Sequence, residues 1–467
     1  MRHLRMLFCI VALAGAIPAL CHAAPPNILI VIGDDATYSD LPLYGGQNLK
    51  MPQLDRLASQ GMRFNSAYVA MSMCTPCRTE LYTGLYPLDS GACWNHSDAK
   101  PGTQSIVHYL KKLGYRVGIA GKVDVRPRAV FPFEMVGGFE RGCVKETADW
   151  DVTEMKRFLR RDPSQPFCLV IGLVVPHVPW TVGDPSHFDP MRLKLPPYLA
   201  DTPETREDFT RYLAELEVLD QQLGDILAAL DETGQAGNTL VIFTSEQGAQ
   251  FPGCKWTNWE QGVHTGFVVR WPGKVKPASE TNALIQYADV LPTLIEAAGG
   301  DPSAGHFDGR SFLGVLLGRK SEHRKYVYNM HNNVPEGPSY PIRAIRTRQF
   351  HYIRNLTPES LYIEKHLMQH SSHNKYWPSW MWDSASSPRT LRLVTRYMLR
   401  PTEELYRVSD GALETINLAG DPRFTEVKER LRAELDRWMR GQKDSGAALD
   451  TQEAFQENKK ANRAKAK

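Results

Sequence analysis

Four short apolar runs, each ending in a polar or ionisable cluster, most constrain how this chain can fold. Asn27-Ile28-Leu29-Ile30-Val31-Ile32 ends in Gly33-Asp34-Asp35, and Arg116 to Ala120 ends in Gly121-Lys122-Val123-Asp124. Phe167 to Val175 ends in Pro176-His177, and Thr239 to Phe243 ends in Thr244-Ser245-Glu246-Gln247-Gly248. Continuous apolar runs of this length are what strands buried on both faces show. Between them lie helical patterns, best from Arg206 to Glu232. There Leu213, Leu216, Leu219, Leu223, Ile226, Leu227 and Leu230 form one stripe, with Gly234 as the stop. Strands alternating with helices predict an α/β fold whose large, mostly parallel sheet lies between helices. In such sheets, sites form beyond the carboxyl ends of the strands. Four ends carrying charged, ionisable or amide groups therefore predict an active site at that edge.

Composition removes several other classes. Lys+Arg number 55 against Asp+Glu 52, so the basic excess of a nucleic-acid binder is missing and no such partner is expected. No internal apolar run is long enough to span a membrane. Arg2, His3 and Arg5 precede an apolar stretch, Met6 to Leu20, and Cys21-His22-Ala23-Ala24 ends in small residues. Residues 1–24 are thus expected to be a signal peptide, which places the mature protein in the periplasm or outside the cell. Two of the eight cysteines leave with that segment, and the remaining six are too few for a disulfide scaffold.

The chemical centre is Cys74-Thr75-Pro76-Cys77-Arg78-Thr79-Glu80-Leu81-Tyr82-Thr83-Gly84. Cys74-Thr75-Pro76-Cys77 alone also fits a thioredoxin-type redox pair, a different class of protein. The longer stretch predicts a helix opened near Arg78 and closed by Gly84, with Cys74 just ahead of its N-terminus. Backbone N–H groups and a guanidinium there suit an anion.

This run resembles the C-x-P-x-R…T-G signature of type I sulfatases, members of the alkaline phosphatase superfamily, and Asp34-Asp35 lies upstream as in that family. Lys122 matches the Lys of the family's Gly-Lys-x-His motif, His177 the later Pro-His, and Lys255 the Lys that follows Ser-Asp-Asn-Gly. Glu404-Leu405-Tyr406 and Glu414 to Ala419 look like the usual C-terminal sulfatase sequence. Val130-Phe131-Pro132-Phe133, Tyr340 to Ala344, Phe350, Asn355-Leu356 and Asp421-Pro422-Arg423-Phe424 are most similar to heparan N-sulfatases, the sulfamidases.

The resemblance implies roles residue by residue. Cys74 would be oxidised to formylglycine by a formylglycine-generating enzyme or an anaerobic sulfatase-maturating enzyme, and the hydrated aldehyde would attack sulfur. Asp34, Asp35, Glu246 and Gln247, with position 74, would hold a hard cation, expected to be Ca²⁺ because the ligands are oxygens. Arg78 and Lys122 would hold the formylglycine oxygens and Lys255 a sulfate oxygen. His177 would protonate the leaving amine or alcohol. His96 and His331 would face the substrate. Two departures stand out. Glu246-Gln247 replaces Asp-Asn, one methylene longer with the same oxygen types. Asp124 replaces the family's His, the base thought to return the aldehyde; a carboxylate can serve, but it repels sulfate.

The expected division is a catalytic domain over 25–320, a smaller C-terminal domain over 321–445 and a flexible tail over 446–467. In the second domain, Tyr326 to Tyr328, Ile342 to Arg346 and Phe350 to Ile353 predict an antiparallel sheet, and Phe424 to Trp438 a helix. Leu361 to Arg400, with Trp377, Trp380, Trp382, His366, His370 and His373, reads either as an insertion over the cleft or as a packing flap. The expected activity is sulfate removal from a sulfated glycan, N-sulfoglucosamine of heparan type first. The rivals are an O-sulfatase on another polysaccharide, a phosphonate or phosphodiester hydrolase, the redox protein, and an inactive calcium-dependent glycan binder.

Overall fold

The computed structural model describes residues 24–369, 374–411 and 413–464. Its larger sheet contains β1 (Asn27–Gly33), β2 (Met62–Tyr68), β3 (Arg116–Gly121), β4 (Glu134–Val136), β5 (Phe167–Gly172), β6 (Thr239–Ser245), β7 (His264–Arg270), β8 (Ser279–Thr281) and β9 (Ile285–Gln286). The spatial order is β4-β3-β5-β1-β6-β7-β2-β8, with β9 also on β2. From β4 to β6 every pairing is parallel, while β7 runs antiparallel to both its neighbours. β1 explains its own sequence: Ile28, Ile30 and Ile32 enter one apolar core and Leu29 and Val31 the other. Two buried faces leave no polar alternation.

The register brings the strand ends level. Ile32 pairs with Gly172, Gly33 with Ser245 and Gly121 with Gly172. The groups that follow β1, β3, β5 and β6 therefore emerge along one edge, as the sequence predicts. The long helix runs Pro203–Glu232; Thr202 caps it, its hydroxyl accepting from Thr205 N at 3.2 Å, and Pro203 needs no partner in the first turn.

A second sheet, β10 (Val327–His331), β11 (Ile342–Arg346), β12 (Phe350–Asn355) and β13 (Glu403–Arg407), is wholly antiparallel. The helix Thr425–Gly441 buries Leu431, Leu435 and Trp438, spaced by four and three residues, beside it. β10 is tied to the segment leading into Cys74: Met330 N donates to Ala70 O at 2.8 Å and Asn329 Nδ2 to Val69 O at 2.7 Å.

Two expectations change. The tail predicted over 446–467 is largely structured: a helix runs Gln452–Ala464, and Phe455 is buried edge-on against Trp94. Asp450, fully buried, accepts from the backbone N–H of Asn333, Val334 and Tyr340 at 2.7–2.9 Å. One phenyl ring and one carboxylate thus anchor a polar segment whose composition hides them. In the Leu361 to Arg400 insertion, Trp377 and Trp380 are core residues, Trp380 donating to Thr205 Oγ1 at 2.8 Å. Trp382 is 87% exposed, on the rim of a separate depression with Asp201 to Glu204. The packing flap describes them better than a sugar platform does. The signal-peptide expectation lies outside the described residues except at Ala24, as do His370 and His373. Among the described residues no helix is long and apolar enough to cross a membrane.

Candidate active site

The strand ends converge on a pocket of about 540 Å³. Cys74, Lys122, Asp124, His177, Lys255 and His96 all line it. Cys74 opens the helix Cys74–Thr83, four residues earlier than expected; Pro76 fits because a first-turn N–H has no helical partner. Gly84 closes the helix at φ 70°, as predicted.

Beneath the pocket floor Arg78 is fully buried. Its Nε donates to Glu246 Oε1 at 2.9 Å, its Nη2 to Glu246 Oε2 at 3.0 Å and its Nη1 to Lys122 O at 3.1 Å. Gly172 makes this possible, since a Cβ there would lie 2.7 Å from Arg78 Nη1 and 2.3 Å from Lys122 O. Lys122 Nζ lies 2.7 Å from Asp34 Oδ2, and Lys255 Nζ 2.6 Å from Asp35 Oδ2. Burial opposes the charge on Asp34, yet Lys122 and neighbouring donors hold its carboxyl below the usual range. Burial pushes the Cys74 thiol up, so as a thiol it is a poor nucleophile.

The donor set can be tested against a cation. One ligand atom each from Asp34, Asp35, Cys74 and Glu246 lies within 4.8 Å of the others. Gln247 Nε2 donates to Asp35 Oδ1 at 2.6 Å, and its Oε1 is buried with no hydrogen-bond partner. Three carboxylates and an unpaired amide oxygen fit a hard divalent ion.

His177 Nδ1 lies 2.5 Å from Val178 O. A carbonyl only accepts, so Nδ1 carries the hydrogen and Nε2 is left for chemistry; Nε2 lies 3.5 Å from Asp35 Oδ2. Burial and Lys255 lower the His177 pKa, but Asp35 and the other anions around it raise it overall. Asp124 faces His96, Nδ1 to Oδ1 at 3.8 Å. Burial acts against ionisation of Asp124, and His96 and Lys122 more than offset it.

Three pocket-lining residues other than glycine, His96 (φ 57°), Asp124 (41°) and Trp256 (63°), and the fully buried Asp35 (54°) have left-handed backbones. Each such conformation costs on the order of 1–3 kcal/mol and persists where surrounding packing dictates it.

His331 does not line the pocket. It is fully buried, its Nε2 near Asn333 Oδ1 (3.3 Å) and the Tyr362 hydroxyl (3.4 Å), and burial lowers its pKa to about 3. The expected substrate contact is thus a neutral histidine of the core. Sequence reasoning missed Trp256, Asn95 and Gln250 as wall residues, and placed His366 only in an insertion open to two readings, of which its pocket position fits the one over the cleft. Trp256 and Asn95 adjoin Lys255 and His96, and His366 stacks on Trp256 with centroids 5.7 Å apart. The redox alternative is disfavoured by Cys77, which is buried, turned to Glu246 O at 3.2 Å and has its pKa pushed well up, so it is a poor thiolate.

A mostly parallel α/β sheet with buried lysines, a buried arginine and a carboxylate cluster at its strand ends suits an enzyme that binds an anionic ester. Residues 26–300 match the sulfatase family model, and residues 254–368 match the model described as N-sulphoglucosamine sulphohydrolase, C-terminal. The chain is 31% identical to an ulvan-active sulfatase of Formosa agariphila, over 90% of this chain and 81% of that one. It is 27% identical to human N-sulphoglucosamine sulphohydrolase, over 90% and 91%. Among solved structures, one in complex with its substrate D-glucosamine-2-N,6-O-disulfate superposes with TM-score 0.67 at 19% identity, covering 90% and 99%. The chain belongs to the sulfatase family and is a sulfuric ester hydrolase. Enzymes of this family generally use a formylglycine and a divalent metal.

Proposed function

We propose that this sulfatase removes sulfate from a sulfated glycan after export, with the N-sulfate of glucosamine in heparan-type chains as its substrate. The observation that carries this reading is the match of residues 254–368 to the N-sulphoglucosamine sulphohydrolase C-terminal model, since that stretch supplies Lys255, Trp256 and His366 of the pocket wall. The 31% identity to an ulvan-active sulfatase favours a second reading, an O-sulfatase on another polysaccharide.

Position 74, converted to formylglycine by a maturation enzyme, would supply a hydroxyl for attack on sulfur, and Ca²⁺ held by Asp34, Asp35, Glu246 and Gln247 would supply positive charge. The chain's own residues do the rest. Lys122 and Lys255, each already beside a carboxylate, bind anionic oxygens without needing to leave the floor. Arg78 fixes Glu246 from below. His177, oriented through Nδ1, gives a proton from Nε2 to the departing amine or alcohol. Asp124 accepts the proton that must be removed at position 74 before sulfate leaves.

The test is sulfate release from an N-sulfated glucosamine saccharide and its 6-O-sulfated isomer, with Cys74→Ala as control. Release from the first alone supports the N-sulfatase reading; release from the second alone overturns it in favour of the O-sulfatase. The mass of the peptide ending at Arg78 reports conversion of Cys74 directly.

A further inference from the structure

Asp124 poses an electrostatic problem. A carboxylate facing an anionic substrate raises the energy of binding, and nothing in that side chain removes the penalty. The neighbouring element supplies an answer. His96 lies in the segment after β2 and its helix, far in sequence from Asp124, yet both line the pocket and His96 Nδ1 faces Asp124 Oδ1 at 3.8 Å. Both hold left-handed backbones, φ 57° and 41°, although neither is glycine. His96 N donates to Thr75 Oγ1 at 3.2 Å, which ties the imidazole's backbone to the residue beside Cys74. Asn95, adjacent, is anchored by its Nδ2 on Glu336 Oε1 at 3.1 Å. The His96 side chain is half exposed, at 52%, and that of Asp124 is 15% exposed. Asp124 is therefore the more enclosed of the two, in the pocket that Cys74 also lines, and His96 is the more open to solvent.

We propose that Asp124 and His96 act as one proton-accepting pair, Asp124 receiving the proton and His96 serving as the positioning residue whose Nδ1–H side offsets the Asp124 charge. The pair takes over the task for which the family pattern uses a single histidine at position 124, and it rests on the sulfatase reading above. In the transfer, an O–H bond at position 74 breaks with its electron pair kept by that oxygen. A new O–H bond forms on Asp124, the electron pair left on oxygen closes the carbonyl as the bond to the sulfate oxygen breaks and sulfate leaves, and the proton returns from Asp124 to solvent. Lys122 and Glu246 also face Asp124, and Arg141 and Glu146 complete the charged lining on this side of the pocket.

Two measurements on the calcium-loaded protein test it. The first follows the His96 imidazole by NMR through a pH titration in a Cys74→Ala background, with and without Asp124→Asn. A pair lowers the His96 midpoint by about one pH unit or more when Asp124 loses its charge. A midpoint that stays put overturns the pairing. The second is kinetic, in the Cys74 protein. His96→Ala is expected to lower kcat at least tenfold with KM little changed, to be partly rescued by added imidazole, and to add little further loss to Asp124→Asn. A rise in KM alone makes His96 a substrate contact and overturns the proposal, as do additive losses. Failure of the sulfatase reading is distinguishable, because it abolishes sulfate release while leaving the NMR shift intact.

Discussion

Arg78 and Glu246 meet fork to fork, with two N–H···O bonds of 2.9 and 3.0 Å between side chains that have no solvent exposure. The pair joins the Cys74–Thr83 helix to the residue that follows β6, so the helix that Cys74 opens and one carboxylate of the cluster share one rigid link.

Breaking that link leaves a buried guanidinium uncompensated. Glu246→Ala is expected to lower folding stability by about 3–5 kcal/mol, measured by urea denaturation. It should also remove most of the stabilisation that added Ca²⁺ gives the unaltered protein. Equal calcium stabilisation in the variant would show that Glu246 is not a ligand.

Position 124 sets the acid side of the pH profile. The Asp124 carboxyl is held below its usual range, so a base there stays deprotonated throughout the weakly acidic region. Asp124→His replaces it by a group that protonates near pH 6.5, and kcat should then fall below about pH 6 where the parent stays flat. Asp124→Asn should cost on the order of 10²–10⁴-fold in kcat. Identical pH–rate curves for the His variant and the parent would remove Asp124 from the reaction.

The stacked Trp256–His366 wall should act on binding. Trp256→Ala is expected to raise KM by about 3- to 10-fold, the worth of one aromatic contact. A change confined to kcat would point instead to displacement of the adjoining Lys255.

Asp40 gives a pH-dependent stability term away from the pocket. Burial raises its pKa to about 7, against hydrogen bonds from Tyr212, Tyr198 and Thr37 that act to lower it. The folded state keeps a proton that the unfolded state has lost, so stability falls as pH rises from about 4 to 7, by up to about 1.4 kcal/mol per unit. Asp40→Asn should flatten that slope in thermal melts across this range; an unchanged slope would show that Asp40 is ionised in the folded protein.

The strand ends were legible because a strand buried on both faces writes a continuous apolar run, and the polar residue after it has nowhere to go but the sheet edge. Asp34, Asp35, Glu246 and Gln247 could be read for that reason, and Cys74 and Arg78 from the C-x-P-x-R motif. The walls could not. His366 reaches the pocket through a loop and a short helix with no periodic pattern, and Trp256 shares its composition with core tryptophans such as Trp380. His331 was misplaced because a histidine at a strand end looks alike whether it faces the pocket or the second core; only the packing of Tyr362 and Asn333 around it decides.

The helix Gln452–Ala464 gives a temporal consequence. Asn458 clamps the lip segment, its Nδ2 on Gly91 O at 3.0 Å and its Oδ1 accepting from Asp98 N at 3.1 Å, on either side of Asn95 and His96. During synthesis every residue of the pocket floor emerges at least about two hundred residues before this clamp does. Until then position 74 lies under an unfinished lip, and that interval is when the proposed maturation enzyme would have the most room to reach its thiol.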